Sequence, residues 1–429
     1  MDPNSFHRLA KLLADSGEAD SIDGALESFS HYGLRFVLHE SVAGSVSQQV
    51  IALTAINAAA RSFMGNVIVE VEPRLQLAAR GFEGQALASF LSWAGVKDVA
   101  PTVSQSWPVI HVGCPRTDRA YGHLNVWASG WVFGVGGEPP AMEDFFAPSC
   151  VAAAGLAISE AFSMLRRDNP YAGRRTLLMS LYAPEAPYVR PQGPAEPAGQ
   201  IVPSTWLVGL GHLGQAYAWT MGFMKPAAGA VLMLQDIDEV TNSTLSTSML
   251  SCANDVGKKK TRVVADWLES RGFDTGLVER RFDQFQRVAA LEASAALFGV
   301  DNAAARRAME GAGFASVIDC GLGSGYKDFR AMRMRTFPGP SSAAALWAAT
   351  PEPMRNDDAP AYKALVASGV DPCGVTTLAS RSVGAPFVGC VAAGFAIAQR
   401  LLLESGERPV AVLDLNLRAP EKREIIRVQ

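Results

Sequence analysis

Apolar residues along this chain come in two rhythms. Short blocks rich in valine, leucine and phenylalanine read as strands: Leu34 to His39, Asn66 to Glu72, Val109 to Val112 and Trp131 to Val135, then Thr205 to Val208, Ala230 to Gln235 and Val317 to Cys320. Between them run longer stretches whose apolar positions recur at helical spacing, among them Val46 to Phe63, His212 to Met224 and Thr261 to Arg271. Near-continuous apolar strands alternating with helices predict an α/β protein with a largely parallel, doubly wound sheet. Residues 1–14 read as a mixed polar helix without the apolar stretch of a secretory signal.

The alternation occurs twice. A proline- and glycine-rich stretch, 184–203, can hold neither a helix nor a central strand, so it divides a first half, 1–183, from a second, 204–429. The halves end alike. Ala147-Pro148 leads into the alanine-rich run CVAAAGLAISEAF and the strand TLLMSLYAP; Ala385-Pro386 leads into CVAAGFAIAQRL and the strand VAVLDLNLRAP. Matching order and residue type point to an internal duplication.

Composition narrows the function classes. The 429 residues suffice for two domains with their own cores, and 48% hydrophobic with 19% charged residues is an ordinary globular balance. A net charge of -4 offers no basic face for nucleic acid. No unbroken apolar run approaches the roughly 18 residues that a membrane span needs. The six cysteines, Cys114, Cys150, Cys252, Cys320, Cys373 and Cys390, include no C-x-x-C pair, which argues against structural zinc, and the chain reads as a protein of the reducing cytosol. His7, His31, His39, His111, His123 and His212 show no catalytic-zinc spacing. Trp206 and Trp347 read as core or interface residues.

Chemistry concentrates in the second half. Gly209, Gly211 and Gly214 form G-L-G-H-L-G between a strand and a helix. There glycines let the backbone turn and approach a phosphate, and the helix N-terminus offers free N–H groups and a positive dipole. Asp236, at the end of the next strand, is placed for ribose hydroxyls. The glycines alone do not separate NAD from ATP. His212, inside the loop, either touches phosphate or points to solvent. At the matching place the first half reads ESVAGSVSQQ, with the glycine spacing broken; that half is expected to bind no nucleotide.

Residues 235–260 separate the two cofactors. They read QDIDEVTNSTLSTSMLSCANDVGKKK. The D-x-D-x-V start and the V-G-x-x-K end resemble the adenylating ThiF/MoeB and ubiquitin-activating enzyme family. The resemblance covers about half the chain, from Val202 to Ala419, in preserved order. It implies two Rossmann-like, ThiF-type halves, the first degenerate and the second active. It implies ATP as substrate, with Asp236 on the ribose, Asp238 beside the phosphates and Lys260 reaching them. Val300-Asp301-Asn302 with Arg306 resembles the family segment whose aspartate positions magnesium, so Asp301 is the candidate metal ligand; an Asx turn capping a helix is a compatible reading. Asp371-Pro372-Cys373-Gly374 lies where activating enzymes carry their catalytic cysteine, in a crossover loop, and Cys373 is the candidate acyl acceptor.

One feature departs from the family. Its Ser-Asn-Leu-x-Arg-Gln becomes Ser243-Thr244-Leu245-Ser246-Thr247-Ser248, so a phosphate-contacting arginine is missing. Lys258 and Lys259, or an arginine of the first half such as Arg8 or Arg61, are the candidate replacements. The resemblance implies that the protein adenylates the C-terminus of a ubiquitin-like protein, holds it as a thioester on Cys373 and passes it to a conjugating enzyme. The whole most resembles activating enzymes of bacterial ubiquitin-like conjugation operons of the Bil antiphage type. The rivals are a sulfur-carrier adenylyltransferase without the thioester step, an NAD(P)-dependent oxidoreductase and a non-catalytic scaffold. The duplication either replaces a homodimer or sits within one.

Overall fold

The computed structural model describes residues 6–71, 75–98, 106–113, 121–138, 144–186, 200–323, 325–349 and 356–427. Two mixed sheets dominate. The first contains β1 (Leu34–Leu38), β2 (Val67–Val71), β3 (Val109–Val112), β4 (His123–Ser129), β5 (Val132–Val135) and β6 (Leu177–Ser180), in the order β2-β1-β3-β4-β5-β6. Next in the chain, β7 (Ile201–Val202) pairs with β9 (Lys225–Pro226) in a separate ribbon. The second sheet takes β8 (Thr205–Val208), β10 (Val231–Gln235), β11 (Asp274–Val278), β12 (Ala295–Phe298), β13 (Ser316–Leu322), β14 (Ala331–Phe337), β15 (Val410–Asn416) and β16 (Arg423–Arg427). Their order is β11-β10-β8-β12-β13-β14-β15-β16.

The first sheet superposes in order on the middle of the second. β1, β2, β3, β4, β5 and β6 occupy the places of β8, β10, β12, β13, β14 and β15, with β11 and β16 added at the edges. Strand directions agree as well. β1 to β4 are parallel and β5 and β6 antiparallel, as β8 to β13 are parallel and β14 and β15 antiparallel. The helices Ala147–Arg166 and Pro386–Glu404 fall at the same point of each half, before the last shared strand. The topology therefore carries the duplication that the paired Ala-Pro segments pointed to.

The sheets are less parallel than the alternation predicted. The reason is local: β4 and β5 are joined only by Gly130-Trp131, with Gly130 at φ +52°. A link that short closes an antiparallel hairpin and cannot make a parallel crossover.

The core sits between the halves. The Ala147–Arg166 and Pro386–Glu404 helices pack on each other, with Val46–Ser62 against the first and His212–Met221 against the second. Both long helices have the length and hydropathy of a membrane span, yet 94% of each such window is buried inside the protein. Their backbones touch. A Cβ on Gly155 would lie 2.4 Å from the Phe387 carbonyl oxygen, and one on Gly394 would lie 2.7 Å from that of Pro148. Small residues thus replace the usual layer of side chains.

The second sheet has a further apolar layer on its other face, built from Trp206, Val208, Phe282, Phe298, Met309 and Phe337. The corresponding face of the first sheet is polar, carrying Arg35 paired with Glu70, and His111, His123 and Asn125.

Candidate active site

The glycine loop joins β8 to the His212–Met221 helix, and its three glycines do different work. Gly209 sits at φ +84°, where a Cβ would also press within 3.0 Å of the Gly299 carbonyl. A Cβ on Gly214 would lie 2.1 Å from the Gly209 oxygen, so helix and loop are in backbone contact. At Gly211 only the Lys260 ammonium comes within reach, at 3.9 Å. The first and third glycines close the turn, and the second leaves it open to a ligand.

Asp236 fastens this loop. Its Oδ2 accepts from the Leu210 N–H at 2.6 Å and its Oδ1 from the Asp238 N–H at 2.8 Å. A carboxylate has about four acceptor sites, so a ribose hydroxyl can still be bound.

The D-x-D-x-V and V-G-x-x-K segments fold onto each other. Val240 N–H donates to the Lys258 carbonyl and Gly257 N–H to the Val240 carbonyl, each at 2.9 Å. Lys260 N–H donates to the Asp238 carbonyl at 3.1 Å. This pairing puts Lys260 at the start of the Lys260–Glu269 helix, with Nζ 2.9 Å from Asp238 Oδ2 and a side chain 13% exposed. Asp238 is exposed and holds the ammonium toward the loop. Lys258 and Lys259 are engaged elsewhere, with Asp255 at 2.8 Å and Glu239 at 3.2 Å.

Asp301 follows Val300, whose side chain abuts Gly209. It is exposed, and Asn302 caps the Ala303–Ala308 helix by accepting from the Ala304 N–H at 2.7 Å. Arg306 points away from the loop. Its Nε lies 2.9 Å from Asp319 Oδ1 and its guanidinium donates to the Cys320 carbonyl at 3.0 Å. Among the described residues no group of three or more histidine, cysteine or acidic side chains is arranged to hold a metal. Magnesium bound chiefly by phosphates and water needs only one carboxylate, so Asp301 fits that use.

The two candidate arginines separate cleanly. Arg8 enters from the N-terminus onto Ser243 and Ser246, in the segment where Thr244 and Thr247 stand in place of the family's Asn and Arg. Its N–H donates to Ser246 Oγ at 3.1 Å, and its guanidinium donates to Ser243 Oγ at 3.5 Å and to the Ser382 carbonyl at 3.2 Å. Burial pulls the guanidinium down to about 10, with repulsion from Arg381 adding and attraction to Asp301 opposing. It therefore stays charged and feels Asp301. Arg61 is buried instead, donating to Asn57 Oδ1 at 2.7 Å and to the Ser251 carbonyl at 2.5 Å. It braces the 245–251 backbone from behind.

Cys373 is not in an irregular loop. It is the second residue of the Pro372–Ser380 helix, whose cap Asp371 accepts from the Gly374 N–H at 2.9 Å. The Pro372 ring has no N–H to lose and starts this helix readily. The thiol is exposed, whereas Cys150, Cys320 and Cys390 are buried, and burial pushes the last two up to about 12. Cys252 is half-buried and donates to Asp255 at 3.0 Å. Cys114 lies outside the described residues.

Residues 202–407 match the family description "BilD C-terminal domain" and residues 33–181 match "BilD N-terminal domain". A curated relative, "Bacterial E1-like protein BilD" of Collimonas sp. (strain OK412), is 37% identical over 414 residues, covering 94% of this chain and 89% of the relative. The chain belongs to the BilD family. Solved structures of E. coli MccB are similar over 71% of this chain and 92% of theirs, at 12% identity and a TM-score of 0.38. The MccB structure with ATP gives 14% identity and the same TM-score of 0.38, over 71% of this chain and 95% of that one.

In this BilD-family chain His212 has neither of the expected roles. Its ring lies against the backbone of Ala385 and Pro386, and burial lowers its pKa to about 4. A Cβ on Gly389 would meet the ring at 2.7 Å. The residue joins the glycine loop to the start of the Pro386–Glu404 helix. Trp206 is core, and Trp347 packs under the guanidinium groups of Arg306 and Arg335, at 5.4 and 5.5 Å.

Spacing along the chain gave no hint of one cluster. His39 Nε2 lies 3.1 Å from His111 Nδ1, and His111 Nε2 lies 2.9 Å from His123 Nδ1. The pairing of β1, β3 and β4 brings them together, which only the strand order reveals. His39 begins the segment after β1, where Gly209 begins the loop after β8. A cavity of about 680 Å³ opens there, lined by Val37, Leu38, His39, Glu40, Ser41, Glu70 and Val71.

Proposed function

We propose that this protein activates a ubiquitin-like protein: it adenylates the partner's C-terminal carboxylate with MgATP and then takes the acyl group on Cys373. The observation that carries the reading is the meeting of Gly211, Lys260, Arg8 and Asp301 around one open strand–helix turn. Two cations, free N–H groups at a helix start and a carboxylate suit a magnesium-bound polyphosphate. The first half, with His39 and two glutamates at the matching crevice, is read as catalytically silent.

The carboxylate oxygen attacks the α-phosphorus, the bond to the bridging oxygen breaks, and pyrophosphate leaves. Charge builds on the phosphate oxygens during this exchange. Lys260 and Arg8 neutralise it, and Asp236 orients the nucleoside through the ribose. Asp301 would hold magnesium, which supplies charge neutralisation between the phosphates. In the second step the Cys373 thiolate attacks the acyl carbon, AMP departs with the electron pair, and a thioester remains. The thioester passes to a conjugating enzyme, as part of a cytosolic antiviral conjugation system.

The test combines ATP–pyrophosphate exchange with a non-reducing gel, using MgATP and a ubiquitin-like protein encoded beside this gene. Wild type should show exchange and a reducible band at the summed mass. Cys373→Ala should keep the exchange and lose the band. Exchange without a band in wild type would leave adenylation alone, as in the sulfur-carrier enzymes. Absence of both would sink the reading.

A further inference from the structure

Residues 8–15 touch both sides of the proposed chemistry. Arg8 bonds Ser243 and Ser246 on the nucleotide side and the Ser382 carbonyl in the segment just after the Cys373 helix. One turn later the chain buries a lysine almost completely. Lys11 is 1% exposed, and its Nζ lies 2.6 Å from both oxygens of Asp15 and 3.1 Å from the Ala379 carbonyl, inside the Cys373 helix. Tyr362, on the Pro360–Ala367 helix, donates its hydroxyl to Asp15 Oδ1 at 2.5 Å. Asn356 donates to the Asp15 carbonyl.

A buried ion pair of this kind gives little net stability, because desolvation offsets the attraction; what it fixes is geometry. Here it fixes the N-terminal segment to the Pro360–Ala367 and Pro372–Ser380 helices. Resting on the adenylation reading above, we infer that Lys11, Asp15 and Tyr362 form a strap that makes the placement of Arg8 and the placement of the Cys373 helix a single equilibrium. They are positioning residues for the reaction.

The coupling follows from acceptor strength. A phosphate oxygen bonds a guanidinium about twice as strongly as a neutral carbonyl does. Bound nucleotide therefore draws Arg8 off the Ser382 carbonyl and loosens the segment that carries Cys373. By linkage, anything that loosens that segment must change nucleotide affinity by the same factor. With the strap cut, Arg8 can move without consequence for Cys373.

Two readouts on the full-length protein test this. One is the rate of iodoacetamide alkylation at Cys373, assigned by peptide mass spectrometry, with and without MgATP. The other is MgATP affinity by titration calorimetry. Wild type should alkylate faster with MgATP. Tyr362→Phe, which removes one hydroxyl, should alkylate faster without nucleotide, lose the response to MgATP, and bind MgATP about tenfold more tightly, because the nucleotide no longer has to loosen the segment. Asp15→Asn should do the same and Asp15→Glu should restore part of the response. A purely structural role would lower the melting temperature and leave the MgATP response of alkylation intact. Tyr362→Phe with wild-type alkylation in both states would overturn the strap. Wild type that binds no MgATP would sink the adenylation reading, and alkylation of Tyr362→Phe without nucleotide would then judge the strap alone.

Discussion

The two halves share a strand order and differ at the ends of two equivalent strands. After β8 comes Gly209, at a positive φ no other residue takes easily, then the open Gly211 with Lys260 beside it. After β1 comes His39, bonded to His111 and followed by the exposed Glu40. Both ends form a crevice, as parallel strands reversing order must. One crevice sets Lys260 and Arg8 beside bare backbone, among Asp236, Asp238 and Asp301; the other is lined by His39, Glu40 and Glu70, the last paired with Arg35. The fold supplies the crevice, and the loop residues decide what can enter it. What the first half retains is an arginine and a grip on the second. Arg8 reaches Ser243, Asn57 donates to the Met249 carbonyl at 2.9 Å, and Thr54 accepts from Trp219 at 2.9 Å.

The comparison breaks first at Lys260. If charge at the open loop drives catalysis, Lys260→Ala should lower the kcat of ATP–pyrophosphate exchange by about 10²- to 10³-fold, the scale of losing one preorganised donor. Its melting temperature should stay near wild type, since the ion pair it loses is with the exposed Asp238. Retention of exchange would move the phosphates away from Gly211.

Arg8 and Arg61 come next, and they should fail differently. Arg8→Ala should lower kcat/KM for exchange about tenfold to a hundredfold with little change in melting temperature. Arg61→Ala should leave the buried Asn57 Oδ1 and Ser251 carbonyl without this donor, costing about 1–3 kcal/mol of stability. Thermal unfolding and exchange measured on both variants would separate the roles. The reverse pattern would make Arg61 the phosphate partner.

This distinction shows where the sequence was legible. The glycine loop, Asp236, Lys260 and Asp301 are readable as candidates because their pattern lies in local spacing, and the paired motifs 238–240 and 257–260 are neighbours in one small bridge. Arg8 could be named only as one of two arginines, because its contacts lie 235 and more residues away. The histidine chain escaped altogether, since His39 and His111 are 72 residues apart and meet only through the order of β1, β3 and β4. Cys373 is legible as an exposed thiol, whereas the helix that Asp371-Pro372 starts there is not, the two residues being equally at home in turns.

A smaller effect concerns pH. His7 and His212 brace the glycine-loop half from either side. His7 accepts from the Ala10 N–H through Nδ1 and bonds the Arg61 carbonyl through Nε2, and burial lowers both imidazoles to about 4 from the ordinary 6.5. The folded protein therefore resists protonation that the unfolded chain accepts. Their stabilisation is complete above about pH 6.5 and is lost as pH falls toward 4, at up to about 1.4 kcal/mol per pH unit for each. Melting temperatures between pH 7.5 and 4.5 should fall accordingly, and His212→Gln should flatten the slope. An unchanged slope would mean that the ring at Ala385 is not held neutral.

The smallest expected effect is the sharpest for the comparison itself. His39→Gly gives the first half a flexible residue where the second has Gly209. Exchange should stay within about twofold of wild type, and calorimetry should still find one MgATP per chain. The reason is charge: Glu40 and Glu70 still line that cavity, and among the described residues that line it no lysine stands opposite Ser41 as Lys260 stands opposite Gly211. Arg35 offsets Glu70, so at such a site a polyphosphate meets the exposed Glu40 as the uncompensated charge, a repulsion on the order of 1 kcal/mol or more within about 4 Å. A second MgATP bound by His39→Gly would show that one imidazole alone keeps the first half silent, and that the carboxylates around it do not matter.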